Sequence, residues 1–416
     1  MESYLYHQGI KTIYIDIENN RLTEDDFNKQ LREIDATYFV INTTGKGYHF
    51  RYHFRSSFKK DEIVQKIIAN IRARNPKSFI VLFGETSNVF VEKYFSFDVE
   101  CILFDEPEYG MLEIVRKKIK DSRGLTNIKG LYYKHNGTFI KNHSRNTMKT
   151  LDELPPPRWE NLGGHFWDST YRERKEFIDI MGMRGCPYKC TFCKASISNK
   201  VLYHSPCYML AQIKILNKEY GYTDFFIRDA GYFDEISRCK ELCSGLKEIK
   251  GIVWKCNARI DNMNSKKLAL MKEAGCSLIA YGAESGNDQT LHKVNKRITT
   301  KNIVDTVAIT KQAGIQTAVY FLLGLPCESF LDQIRSMAFA RKLDPDIIYI
   351  SQYYFFKKSE PVKKIERTVK ECIKLISVML LFFWGRKKTA YFSKMRIDTI
   401  GANLKHYSIS KHKIKW

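Results

Sequence analysis

Short apolar runs separated by longer stretches of helical period organise the first 150 residues. Residues 13–17 (IYIDI), 38–43 (YFVINT), 79–83 (FIVLF) and 101–104 (CILF) read as strands. Residues 23–34 open on a Thr cap and repeat apolar side chains at helical spacing, and residues 61–73 lie between two strands as a second helix. Strand and helix in alternation predict a parallel sheet with helices on its faces. The expectation is a doubly wound, Rossmann-like α/β domain over residues 1–125. Asn136-Gly137, inside GLYYKHNGTFIK at 130–141, sits between two β-rich runs and predicts a hairpin. LDELPPPRW follows at 151–159. Three successive prolines neither continue a helix nor fill a central strand. Residues 126–170 therefore read as hairpin plus extended connector.

From residue 177 the alternation resumes with a longer period. Candidate strands are residues 177–183, 224–228, 252–258, 278–282, 317–323 and 346–350, with helices at 208–220, 265–274, 301–313 and 330–343. Six β/α units predict a partial (β/α)6 barrel over residues 171–356, and such barrels place their chemistry at the carboxyl ends of the strands. Residues 357–416 are expected to form a basic, partly helical C-terminal extension.

Composition narrows this picture. The chain has 416 residues, 44% hydrophobic and 27% charged, the balance of a packed globular protein. Its first residues hold no unbroken apolar segment of the secretory kind. The longest apolar run, LISVMLLFFW at 375–384, is about half of the ~20 residues that span a bilayer, so it reads as a buried helix or an interfacial face. Contact with a membrane surface stays open on that ground. The 11 cysteines are odd in number and scattered through a long chain. That is no secreted disulfide framework, and a reducing cytoplasm is the simpler location. The formal net charge of +22 suits a lysine-rich solvated surface better than a polyanionic partner. The charge is dispersed and no RNA- or DNA-binding signature accompanies it, so nucleic acid is not the expected partner. The tail 385–416 is the exception: it interleaves Lys and Arg with aromatics and suits an anionic substrate.

The chemistry is concentrated in GCPYKCTFCK at 185–194, where Cys186, Cys190 and Cys193 fall at C-x3-C-x2-C spacing after the first barrel strand. Three local thiols can hold one cubane cluster while one iron lacks a protein ligand; electron-transfer clusters normally use four. Two other readings stand beside this one. A structural zinc site would pair two C-x2-C-like halves, and no second half appears nearby. Plain core cysteines are the other, and they suit Cys207, Cys239, Cys243, Cys256, Cys276 and Cys327. His49 and His53 lie four apart in GYHFRYHF and read as structural, with metal ligation as the alternative.

The cysteine spacing, with Phe192 before the last thiol, resembles the signature of the radical S-adenosylmethionine (SAM) enzymes. The resemblance implies a [4Fe–4S] cluster on Cys186, Cys190 and Cys193. Its open iron would chelate SAM, and one electron from the reduced cluster would release a 5′-deoxyadenosyl radical. Further motifs follow in order. IRDA (227–230) ends the second strand; Asp229 matches one of a pair of acids common in relatives, and Arg228 departs. CNARID (256–261) ends the third with Arg259 at a frequent basic position, and YGAESG (281–286) ends the fourth. By resemblance Glu284 and Ser285 approach the SAM ribose or its methionyl end. VNKRIT (294–299) comes next, and LLGLPCE (322–328), with Gly324 and Glu328, resembles a G-L-P-G-E motif with Cys327 in place of a glycine. Asp229, Arg259, Glu284, Ser285, Gly324 and Glu328 are the expected cofactor-binding residues. The sixth strand departs: SQYYFFKKSEP (351–361) replaces a P-G-T turn.

The layout over roughly residues 1–355 resembles the subgroup with an N-terminal cobalamin-binding domain. SYLYHQGIKTIYID near the start, FDEPEYGMLEIV at 104–115, and the hairpin and proline linker carry that resemblance. It implies cobalamin as a further cofactor. Against this, the chain starts after the first strand and proline-rich loop of relatives. It also lacks a D-x-H-x-x-G motif and carries Asp105–Glu108 (DEPE) where relatives have glycines. The N-terminal domain therefore reads as shortened. The implied function is a radical SAM enzyme acting on a small or lipid-like substrate, by methyl transfer, cyclisation or another hydrogen-abstraction reaction. An electron donor such as flavodoxin or ferredoxin would serve it. The competing readings are an RNA-modifying methylthiotransferase and a non-catalytic, cluster-binding relative. The former would carry three more cysteines in its N-terminal domain, where this chain has Cys101 alone.

Overall fold

A computed structural model describes residues 1–15, 17, 22–43, 60–84, 91–161, 173–174, 176–193, 200–229, 231–325, 327–353 and 389–392. His49, His53, the apolar run 375–384 and nearly all of the basic tail lie outside the described residues. The chain divides into two compact units, Met1–Asp168 and Ser169–Trp416.

The first unit is built on a five-stranded sheet. Its strands are β1 (Tyr38–Asn42), β2 (Phe79–Phe83), β3 (Cys101–Leu103), β4 (Leu131–His135) and β5 (Thr138–Lys141), in that spatial order. The first three run parallel, and β4 and β5 add an antiparallel hairpin. Period-2 geometry explains why β2 is apolar throughout. Ile80 and Leu82 join one core with Phe27, Ile63, Ile67 and Tyr94, while Phe79 and Val81 join the other with Leu5, Met111 and Ile114. Helices thus cover both faces, as the alternation predicts. The helix Glu24–Glu33 is opened by Thr23 in a reciprocal capping box with Asp26. Asn136 (φ 48°) and Gly137 (φ 79°) form the hairpin turn in the left-handed region that an Asn-Gly pair favours.

One predicted strand does not form. Residues 13–15 and 17 make no ladder, and among the described strands β1 is the sheet edge. Only part of the apolar pattern in IYIDI is used: Ile15 and Ile17 pack against the core, while Ile13, on the same side of the alternation, is exposed together with Tyr14.

The second unit is an open barrel of parallel strands. They are β6 (Phe177–Ile180), β9 (Asp224–Ile227), β10 (Val253–Ala258), β11 (Cys276–Glu284), β12 (Gln316–Leu323), β13 (Ile347–Gln352) and β14 (Thr389–Phe392), adjacent in chain order. The small hairpin β7 (Met183–Arg184) with β8 (Leu202–Tyr203) stands apart from that sheet. Outer helices Pro206–Lys218, Ile236–Lys247, Ser265–Glu273, Thr300–Gln312 and Phe330–Leu343 alternate with the strands. Four of the five begin on a Ser, Asn or Thr cap: Ser205, Asn264, Thr299 and Ser329.

One expectation is corrected here. The run 177–183 is not one strand: it breaks at Met181 and Gly182, and the cysteine segment follows the short β7 instead. Gly182 suits the break, because a Cβ there would stand 2.6 Å from the Tyr232 ring. Within the C-terminal extension, Thr389–Phe392 adds a seventh parallel strand beside β13. Four residues in a lysine-rich stretch give too little apolar pattern to show this.

The amino-terminal end of the barrel is closed by a buried ion pair. Lys255 Nζ meets Asp224 Oδ1, and both side chains are fully buried. Asp224 also accepts the backbone N–H groups of Glu173 (2.6 Å) and Arg174 (3.0 Å). A buried pair that is this fully bonded fixes the strand ends, and it leaves chemistry to the opposite rim.

Candidate active site

The opposite rim carries the three cysteines. Cys186, Cys190 and Cys193 are free thiols two to nine residues beyond β7; Cys190 is buried, and the other two are half-buried. Their loop is tied down by a distant segment. The Thr191 N–H donates to Val294 O (3.0 Å), and Asn295 Nδ2 donates to Lys189 O (2.9 Å). Asn295 and Arg297 both take left-handed backbone (φ 55° and 60°), a conformation costly outside glycine and typical of functional segments.

Arg259, just past β10, reaches the same loop. Its Nη1 lies 4.0 Å from Cys190 Sγ, and its guanidinium stacks 3.6 Å from the centre of the Tyr188 ring. Asp261 grips it in a fork, from Nε (2.9 Å) and Nη2 (2.8 Å), and Nη2 also donates to Lys296 O (2.9 Å). Tyr188 donates its hydroxyl to Asp234 Oδ2 (3.0 Å) and accepts from Asn262. Burial pushes the Tyr188 phenol up to about 12, so it remains a proton donor.

Glu284 closes β11 beyond a bulge: Gly282 faces Tyr320, but Glu284 already faces Phe321. The bulge and a left-handed φ of 66° turn its carboxylate onto Lys296 Nζ at 2.8 Å. Gly282 leaves the pair its room, since a Cβ there would meet the Glu284 carboxylate and stand 3.0 Å from Lys296 Nζ, and the pair would have to shift. The Lys296 ammonium also lies 5.8 Å from the Phe192 ring of the cysteine motif.

Ser285, Gly324 and Glu328 form a separate group. Ser285 Oγ donates to Glu328 Oε1 (3.3 Å) and shares a hydrogen bond with Ser336 Oγ (2.9 Å). Glu328 Oε2 accepts the N–H of Gly324 (2.7 Å) and Leu325 (3.3 Å), and burial raises its pKa. Asp229 is held elsewhere. Its carboxylate accepts the Gly182 N–H at the break between β6 and β7, and burial lifts its pKa to about 7. Arg228 pairs with Asp179 of β6 (2.8 Å), so the departure from two acids is matched by an acid on the neighbouring strand. Tyr320 and Tyr349 are register partners whose rings stack 4.8 Å apart.

The residues missing from the sequence reading are Lys296, Asn295, Tyr188, Asp261 and Ser336. Lys296 and Asn295 lie inside VNKRIT, Tyr188 inside GCPYKCTFCK and Asp261 inside CNARID, so for these four the signal was membership of a motif already singled out; Ser336 had none.

The donor set suits a cluster. Three free thiols lie in one short loop, with a guanidinium against one of them to offset the negative charge of thiolate ligation. Among the described residues no three His, Cys, Asp or Glu side chains converge on a single metal ion. A cubane does not need them to, because each thiol ligates a different iron.

Comparison with known proteins agrees. Residues 180–340 match the Radical SAM superfamily. An uncharacterized methyltransferase of Pyrococcus horikoshii is 28% identical over 78% of this chain and 68% of that protein. A cytidylyl-2-hydroxyethylphosphonate methyltransferase of Streptomyces wedmorensis is 24% identical over 54% of this chain and 44% of its own length. An anaerobic magnesium-protoporphyrin IX monomethyl ester cyclase of Rubrivivax gelatinosus is 26% identical over 61% and 47%. This chain therefore spans less than half the length of the latter two relatives. Among solved structures, the radical S-adenosylmethionine methyltransferase TsrM of Kitasatospora setae, with cobalamin and a [4Fe–4S] cluster bound, superposes with a TM-score of 0.66 at 16% identity. It covers 84% of this chain and 67% of that one. The cobalamin-dependent S-adenosylmethionine radical enzyme OxsB gives 0.63 at 19% identity, covering 90% and 53%.

Fold, site and the family match over residues 180–340 agree on a radical SAM domain, the class of enzyme to which a [4Fe–4S] cluster and SAM belong. Among the described residues no helix is long and apolar enough to cross a membrane.

Proposed function

We propose that this chain is a cobalamin-dependent radical SAM enzyme that transfers a methyl group to, or cyclises, a small or lipid-like molecule. The observation that carries the reading is the thiol loop 186–193, seated at the carboxyl ends of parallel barrel strands and braced by Arg259 and Asn295. Cys186, Cys190 and Cys193 would hold the cluster. Glu284, with Lys296 at 2.8 Å, is a charge pair beside the Phe192 ring and offers one acceptor and one cation to the zwitterionic end of SAM. Asp229 would fix the chain break that leads into the loop. Ser285, Gly324 and Glu328 would shape the rim on the far side of β11. With its cofactors bound, the site gains a one-electron reductant for the SAM sulfonium and a carrier for a methyl group. The barrel's own part is to exclude water and to hold the substrate against the radical.

The TsrM and OxsB likeness supports cobalamin, and the tryptophan substrate of TsrM supports a small-molecule acceptor. The first unit places the carboxyl ends of β1 and β2 side by side, which is where such sheets bind ligands. The loops that follow, 44–59 and 85–90, lie outside the described residues. The loop after β3 is filled: the buried Glu106 carboxylate accepts the N–H groups of Thr147 (3.0 Å) and Met148 (2.8 Å). We assign no residue to cobalamin. Flavodoxin or ferredoxin would serve as electron donor. The test is gel filtration of the anaerobic protein with hydroxocobalamin. A near-stoichiometric red fraction, with a spectrum showing no nitrogen lower ligand, supports the proposal; complete separation of pigment from protein removes cobalamin from it.

A further inference from the structure

We propose that Arg259 is a positioning residue for the cluster, set against Cys190 to raise its reduction potential. This rests on the reading of Cys186, Cys190 and Cys193 as cluster ligands. The geometry is a clamp with three jaws. Tyr188, inside the cysteine motif, lies under the guanidinium at 3.6 Å; Asp261 holds Nε and Nη2; the Lys296 carbonyl accepts from Nη2; and Nη1 is left facing Cys190 Sγ at 4.0 Å. Arg259 is 5% exposed, so its charge is poorly screened by water. Tyr188 is itself fixed by Asp234 and Asn262, so the platform under the guanidinium does not swing.

The argument from charge follows directly. Reduction adds one negative charge to a thiolate-ligated cluster, and cluster potentials respond to net charge and to hydrogen bonds on the ligating sulfurs. A fixed cation at Cys190 stabilises the reduced state more than the oxidised one. The Asp261 carboxylate opposes this, but it sits on the far side of the guanidinium, bonded to Nε and Nη2 rather than turned toward the sulfur. Asp261, the Lys296 carbonyl and Cys190 together engage four of the five guanidinium N–H groups, so the cation is held in place at the sulfur.

The experiment is a redox titration of the anaerobically reconstituted full chain, followed by the EPR signal of the reduced cluster, without SAM or substrate. Iron content is measured on each sample. Arg259→Gln is expected to load about four irons and to shift the oxidised-to-reduced ratio at least tenfold toward oxidised at a fixed potential, about 59 mV for one electron. Arg259→Lys is expected to restore more than half of that shift. Arg259→Gln losing the cluster while Arg259→Lys keeps it also supports a requirement for charge at Cys190. A titration of Arg259→Gln that overlays the parent within twofold overturns the proposal. So does loss of the cluster in both variants, which would make Arg259 a structural residue only. Failure of the parent protein to load iron would instead sink the underlying cluster reading, so the two failures are distinguishable.

Discussion

Replacing Lys296 by Met removes one half of the Glu284–Lys296 pair while keeping the length of the side chain. Both residues are nearly buried, at 8% and 7% exposure, and the charged atoms are 2.8 Å apart. At an effective dielectric of ~20 the direct attraction at that distance is about 6 kcal/mol, most of it offset by the desolvation of both groups. The single variant strands a carboxylate with no counter-charge, which costs about 3–5 kcal/mol. For a unit of this size 1 kcal/mol moves Tm by roughly 2–4 °C, so the expected loss is about 6–20 °C. Glu284→Gln in the Lys296→Met background removes the stranded charge and should recover at least half. The assay is a thermal scan of parent, both single variants and the double variant at one scan rate. A Lys296→Met loss below about 1 kcal/mol, or a double variant no more stable than Lys296→Met alone, would refute the claim that this pair is a buried, interdependent unit.

Three further outcomes are expected. Cys186→Ala, Cys190→Ala and Cys193→Ala should each abolish stable iron loading, whereas Cys243→Ala, a fully buried thiol on an outer helix, should keep it; iron assay and visible absorbance decide. Asp229, with its pKa raised to about 7 by burial, contributes stability that is full below the unfolded value near 3.9 and is lost as pH rises through about 7. Asp229→Asn should therefore flatten the pH–stability curve between about pH 4 and 7, and an unchanged curve would show that the carboxyl does not titrate there. Glu284→Gln should weaken SAM binding at least tenfold. Glu273→Ala, an exposed residue paired with Lys247 on an outer helix, should change it less than twofold, as measured by equilibrium dialysis.

The sequence shows the barrel well because its strands are apolar runs buried on both faces. The helix Phe330–Leu343 and the cap Thr23 appear where the pattern predicts them. Local pattern fails where long-range contacts decide. IYIDI has strand alternation yet only packs against the core, and the break at Gly182 depends on Tyr232 and Asp229, some fifty residues away. At the site, the cysteines announce themselves by spacing and Glu284 by its motif. Their partners do not: Lys296 is twelve residues from Glu284, and Arg259 is sixty-nine from Cys190. Such pairs depend on barrel closure, a property of the fold that no window of sequence contains.

The central claim is that this loop makes a radical SAM centre. Anaerobically reconstituted protein, mixed with SAM and dithionite, should form 5′-deoxyadenosine and methionine together, and Cys190→Ala should form neither. Parent protein that holds about four irons per chain yet leaves SAM uncleaved under strong reductant would contradict the account.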